Sequence, residues 1–155
     1  MKKKLGLGAI ILVLFLCGGF FWKQQMPLTD VSGHAYQMTL DGSDQLYLIF
    51  SKDKSSHQVV LTSFKDNVKT LTHKKQFTQA YKAQAMSGKN LVYQIKKKTL
   101  TLSWSQNAQS SGDALILGNL KKQDGDTLEG SIKASGDGNF AIFTEFNMVT
   151  LKRLD

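Results

Sequence analysis

A chain of 155 residues with one proline, one cysteine and a net charge of +8 has room for one domain, and about 130 residues bury a single core without cross-links. Because the one cysteine is Cys17, everything after it lacks disulfides, thiolate metal sites and thiol nucleophiles. Setting aside Lys2, Lys3 and Lys4 leaves 17 basic against 12 acidic side chains, a balance suited to anionic headgroups, anionic envelope polymers or acidic proteins.

Those three lysines precede 18 uncharged residues, Leu5 to Trp22, and Lys23 follows. As a helix rising about 1.5 Å per residue the run spans roughly 27 Å, close to the hydrocarbon thickness of about 30 Å. The lysines keep their end in the cytoplasm and send the rest of the chain across the membrane. Residues 1–22 therefore read as an export signal or single-pass membrane anchor, 23–33 as a stalk containing Pro27, and 34–155 as an extracytoplasmic domain. Lipid attachment requires a small residue before Cys17, where the chain has Leu16. Secretion after cleavage near Gly19 satisfies the small-residue rule through Cys17 and Gly19. The uncleaved anchor ranks first because it also accounts for Phe20, Phe21 and Trp22, an interfacial aromatic belt beside Lys23.

From His34 onward the dominant period is two. Tyr36, Met38 and Leu40 alternate with polar neighbours, as do Leu46, Leu48 and Phe50, with Tyr47 and Ile49 making that strand apolar on both faces. Asp41 to Asp44 is the turn between them, and Val59 and Leu61 continue the pattern. Phe77, Tyr81 and Ala85 recur every four residues ahead of Gly88, which predicts a helix over 76–88, although Tyr81, Ala83 and Ala85 also alternate. In residues 91–104 a hairpin places Ile95 opposite Leu100, Tyr93 opposite Leu102 and Leu91 opposite Trp104. Lys97-Lys98 is poor chemistry for a tight primed turn, so a four-residue loop, Lys96 to Thr99, is expected. Strands are predicted at 113–120, 127–134, 139–146 and 147–154, with Ile132 facing Ile142 and Gly130 facing Thr144 across Ser135 to Asn139. Seven to nine short strands with one short helix give a mainly all-β domain, an antiparallel barrel, after the N-terminal membrane helix.

The frame of Gly33-x-x-Tyr36, then "LIF" and "VVL", "YQIKKKTLTL", "LEGSI" and a closing "VTLKRL" resembles the small lipocalin-like (calycin) barrels of bacterial envelope proteins. Tyr36 stands where that family usually has tryptophan. Arg153 resembles the late basic residue that closes such barrels against the first aromatic. The resemblance implies an up-and-down barrel with an apolar cup; in that version Tyr36, Met38, Leu48, Phe50, Tyr93, Leu102, Trp104, Ile132 and Ile142 line a cup for a small apolar ligand, whereas in the favoured interaction version the same residues fill a closed core.

No complete catalytic or cofactor motif is present. His34, His57 and His73 fit no metal-binding spacing, and Asp124 to Gly130 breaks the calcium-loop order at Leu128 and reads as a turn. A nucleophile elbow is absent, while carboxylates joined by the fold keep an envelope hydrolase open as an alternative. Lys96, Lys97, Lys98, Lys121 and Lys122 sit at expected loops, and loops sharing one end would form a basic rim. The leading expectation is a non-enzymatic binding or interaction module without cofactor or metal, held by residues 5–22. Its partners are the membrane and its headgroups, an anionic envelope polymer or an envelope protein. Its compartment argues against nucleic acid, and no aromatics interleave the lysines.

Overall fold

The computed structural model describes residues 28, 30–87, 90–104, 113–135 and 140–155, and the period-two pattern forms eight antiparallel strands within them. These are β1 (Ala35–Leu40), β2 (Asp44–Phe50), β3 (Val59–Thr62), β4 (Leu91–Lys96), β5 (Thr99–Trp104), β6 (Ala114–Lys122), β7 (Thr127–Ser135) and β8 (Met148–Arg153). The sheet order is β3-β2-β1-β8-β7-β6-β5-β4, and a Gln58–Val92 bridge joins its two ends. At that junction the His57 carbonyl accepts the Tyr93 N–H at 2.8 Å. Each strand thus neighbours its predecessor and successor in the chain, giving the expected antiparallel barrel, nearly closed, with few exposed strand edges. Tyr36 and Arg153 are partners across the β1–β8 ladder.

Alternate residues of the strands fill the interior, where Met38, Leu48, Leu100, Leu102, Leu115 and Leu117 are fully buried. The second apolar face of β2 has a different cover. Tyr47 and Ile49, with Ala35 and Val60, point outward beneath two helices, α1 (Asn67–Leu71) and α2 (Lys74–Met86). Phe77, Ala80 and Tyr81 supply the apolar stripe of α2, and Val68 and Leu71 that of α1. Five residues are too few for a helix stable by itself, so α1 depends on this packing and has no helical period to read. The predicted helix begins two residues earlier than its aromatic spacing suggests, and Gly88, its expected stop, lies outside the described residues.

One side chain of α2 completes the barrel wall. Gln84 donates through Nε2 to the Val59 carbonyl at 3.0 Å and accepts the Leu61 N–H through Oε1 at 3.2 Å. These backbone groups lie on the β3 edge beyond its bridge to β4, where they would otherwise be left without strand partners.

The 91–104 hairpin has the expected register, with Leu91, Tyr93 and Ile95 opposite Trp104, Leu102 and Leu100. Its loop is tighter than expected. Lys96 pairs with Thr99, leaving Lys97 and Lys98 as a two-residue turn with Lys97 at φ +57°. The Leu120 N–H donates to the Lys98 carbonyl at 2.9 Å, so β6 supports a turn that the lysine side chains do not favour.

The expected strand over 139–146 is also corrected. Ala141–Phe143 forms a 3₁₀ turn, Gly130 pairs with Val149, and the Ile132 N–H donates to Asn147. Neither the Ile132–Ile142 nor the Gly130–Thr144 pairing forms. Phe140, Phe143 and Phe146 recur every three residues, matching three residues per 3₁₀ turn. Phe140 and Phe143 enter the core, with Phe140 stacked on Trp104 at 5.1 Å. The Asp41 carboxylate accepts the Met148 N–H at 2.7 Å and the Asn147 N–H at 3.2 Å, fixing where β8 begins.

Beyond Gly118 a β-bulge shifts the β6 register, and Asn119 has φ +54°. Gly130 lies against this bulge, where an added Cβ would stand 2.4 Å from the Gly118 carbonyl oxygen. Gly130→Ala is expected to destabilise the protein by about 1–3 kcal/mol, because neither backbone can yield cheaply. Urea unfolding checks this; an unchanged midpoint would show that the bulge relaxes freely.

Among the described residues no helix is long and apolar enough to cross a membrane. The segment expected to do so, residues 5–22, lies outside them.

Candidate functional site

Strand direction decides which loops share an end. Even-numbered strands finish, and odd-numbered strands start, at the end where the chain enters the barrel before Ala35. The β4–β5 turn with Lys96, Lys97 and Lys98 is therefore at the same end as Lys121 and Lys122. The latter two close strand β6, a correction to their expected place in a loop. The Lys98–Leu120 hydrogen bond ties the two groups together. Lys98 is half-buried and the other four lysines are exposed. Lys121 faces Glu129 across the ladder. Among the described residues none of the five has a carboxylate within ion-pairing distance.

The N-terminal segment crosses this same end. Val31 is buried in the core, Leu28 packs against it, and the Gly33 N–H donates to the Ser51 carbonyl at 3.0 Å. Ser32 and Tyr93 share a hydroxyl–hydroxyl hydrogen bond of 3.0 Å, which gives the buried Tyr93 ring a polar partner. Gly33 has φ +76°, and an added Cβ would meet the Lys52 stem at 3.1 Å, so glycine suits both the conformation and the contact.

Two acids at this end pair with basic side chains, whereas the exposed Asp124 and Asp126, in the β6–β7 turn just beyond Lys122, have no side-chain partner among the described residues. Asp155 contacts His34 and Arg153, and Asp30 pairs with Lys54 and accepts the Ser32 N–H. The Lys54 hydrogen bond and then the Ser32 N–H lower the Asp30 pKa from 3.8 to about 2. In the unfolded chain Asp30 would protonate near its ordinary value, so its stabilising effect is complete above about pH 4 and lost as pH falls through about 2. Asp30→Asn should therefore lower the urea midpoint at pH 7 and lose most of that deficit by pH 2. The difference should be small because both partners are exposed. An equal deficit at both pH values would assign the effect to lost packing.

Of the nine residues expected to line a cup, eight lie in one buried cluster: Tyr36, Met38, Leu48, Phe50, Tyr93, Leu102, Trp104 and Ile132. None is more than 7% exposed, and Phe50 meets Tyr36 and Tyr93 edge-on at 5.8 and 5.0 Å. Their own side chains occupy the interior. Ile142 departs from the set: it is 72% exposed because the 3₁₀ turn directs Phe140 and Phe143 inward instead. Burial raises the Tyr36 pKa, and the nearby Arg153 charge opposes that rise.

Two concavities border the wall. At the end away from chain entry, a groove of about 500 Å³ runs beneath α2, lined by Leu46, Leu61, Ala80, Trp104 and Phe143. At the basic end, a hollow of about 330 Å³ lies between the β2–β3 loop and the start of α2. The sequence offers no local signal for this hollow, since its polar groups come from separate segments. Among the described residues no three potential metal ligands of the His, Cys, Asp or Glu type gather at one place. Comparison with known protein families, curated proteins and solved structures finds no match to this chain.

Proposed function

We propose that the chain is a membrane-held, extracytoplasmic, non-enzymatic interaction module whose basic end lies against the anionic headgroups of its own membrane. The observation carrying this reading is that Lys96, Lys97, Lys98, Lys121 and Lys122 share the end crossed by Leu28 and residues 30–33. If residues 5–22 are the anchor, the connection through 23–27 spans at most about 18 Å when fully extended. That leash keeps the basic end near the bilayer. Each lysine close to an anionic surface contributes about 1 kcal/mol, within a Debye length of about 8 Å. An anionic envelope polymer or an envelope protein would use the same charges in place of headgroups.

The test is the separation between a donor dye at position 98 and acceptor lipids, with the full chain in nanodiscs. Phosphatidylglycerol discs should bring the dye closer than zwitterionic discs, and molar salt should abolish the difference. Equal separation in both lipids would overturn the headgroup reading.

The lipocalin-like resemblance supplies a second reading, a carrier of a small apolar ligand, supported by the meander order and the Tyr36–Arg153 pairing. With the interior occupied, the place for such a ligand is the groove beneath α2. A fluorescent fatty acid displaced by Ala83→Trp, a change on that groove's wall, would favour the carrier; unchanged binding would not.

A further inference from the structure

The hollow at the basic end differs in chemistry from the barrel interior. Its floor is Phe50 and Phe77, and its rim carries Lys52, Gln58 and Lys74. Among the described residues none of these three polar side chains makes a hydrogen bond or a close ion pair, although the Lys74 charge is near enough to Asp53 to help lower its pKa. Ser51 also lines the hollow and is only 7% exposed. Its Oγ accepts the Asp53 N–H at 3.1 Å, while its own hydroxyl hydrogen has no acceptor among the described residues. Lys74 begins α2, whose first turn contains no acid and whose preceding residue, His73, makes no side-chain cap. Donors consequently outnumber free acceptors around the cavity. Asp53 is the carboxylate on this rim; its Oδ1 already accepts the Ser55 N–H and hydroxyl.

We propose that this hollow binds a phosphate ester of a small polyol. The phosphate would lie between Lys52 and Lys74, where charge-assisted donors and the start of α2 face an acceptor-rich group. Gln58 and Ser51 would meet the polyol oxygens, with Gln58 able both to donate and to accept. A volume of about 330 Å³ suits one such unit. The same chemistry occurs in a free phosphomonoester and in the phosphodiester of a lipid headgroup or polymer. The site does not depend on the membrane reading, because it needs neither the anchor nor the β4–β6 lysines.

The test titrates the full chain, in neutral detergent, separately with glycerol 3-phosphate, glycerophosphoglycerol and glycerol. Calorimetry and amide shifts are the readouts. Saturable binding of either phosphate ester, with shifts at Ser51, Gln58 and Lys74, is expected; the tighter ester identifies a monoester or diester source. Lys74→Gln should weaken binding about tenfold, whereas Lys97→Gln with Lys98→Gln should leave it within about twofold. The proposal is overturned if neither ester binds below about 10 mM, if glycerol binds as well, or if both sets of lysine changes weaken binding equally.

Discussion

Phe50→Ala should lower the stability of the barrel by about 3–5 kcal/mol, a large fraction of the roughly 5–15 kcal/mol that holds a domain folded. Phe50 is 2% exposed and stands between Tyr36 and Tyr93, with ring planes at 85° and 89° to theirs. Removing the ring opens a cavity and loses two edge-on contacts, each worth about 0.5–1.5 kcal/mol beyond burial. These neighbours belong to β1 and β4, on opposite sides of β2 around the nearly closed wall, so they cannot collapse cheaply into the space. Phe64, also aromatic but 68% exposed, is the comparison: Phe64→Ala should change stability by no more than about 0.5 kcal/mol. Urea unfolding of the full chain checks both. A Phe50→Ala cost below about 1 kcal/mol would mean that the interior is loosely filled and would revive the cup.

Replacing Lys97, Lys98, Lys121 and Lys122 by glutamine should reduce docking of the basic end on phosphatidylglycerol discs about a hundredfold at low salt. Four charges at about 1 kcal/mol each set an upper bound, and Lys121 contributes less because Glu129 faces it. Lys65, Lys69 and Lys82 are equally exposed but belong to the helical segment on the outer wall. Changing those three should leave docking within a few fold, apart from a weak long-range effect. Equal losses from the two sets would replace a located contact with general attraction by net charge.

The sequence and structure agree where side-chain alternation and register reinforce each other. In β4 and β5, three apolar pairs fall on one face only in the native register, so the hairpin was readable without its turn. The turn itself is not legible in the sequence, because Lys97 adopts φ +57° with support from β6, a contact distant in sequence. Tyr47 and Ile49 signalled that β2 needed cover on a second face, but they did not reveal that α1 would provide part of it. Around Ala141, apolar residues read as a strand although Phe140, Phe143 and Phe146 already carried a three-residue period. The basic end was half legible. Lysine positions stood in the sequence, while their common placement followed only from the parity of eight strands. The polar hollow needed the tertiary fold, because Lys52 and Gln58 come from the β2–β3 connection and Lys74 from a helix packed outside β2.

The orientation of the barrel against the bilayer is the most direct measurement of the membrane-facing account. In a Cys17→Ser background, one dye would be placed through Lys98→Cys at the chain-entry end and another, in a separate protein, through Phe64→Cys just beyond β3 at the opposite end. Quenching by lipid-borne acceptors in phosphatidylglycerol nanodiscs should be strong at 98 and weak at 64, with salt reducing only the first. Stronger quenching at 64, or equal quenching at both, would contradict a barrel held with its basic end toward the membrane.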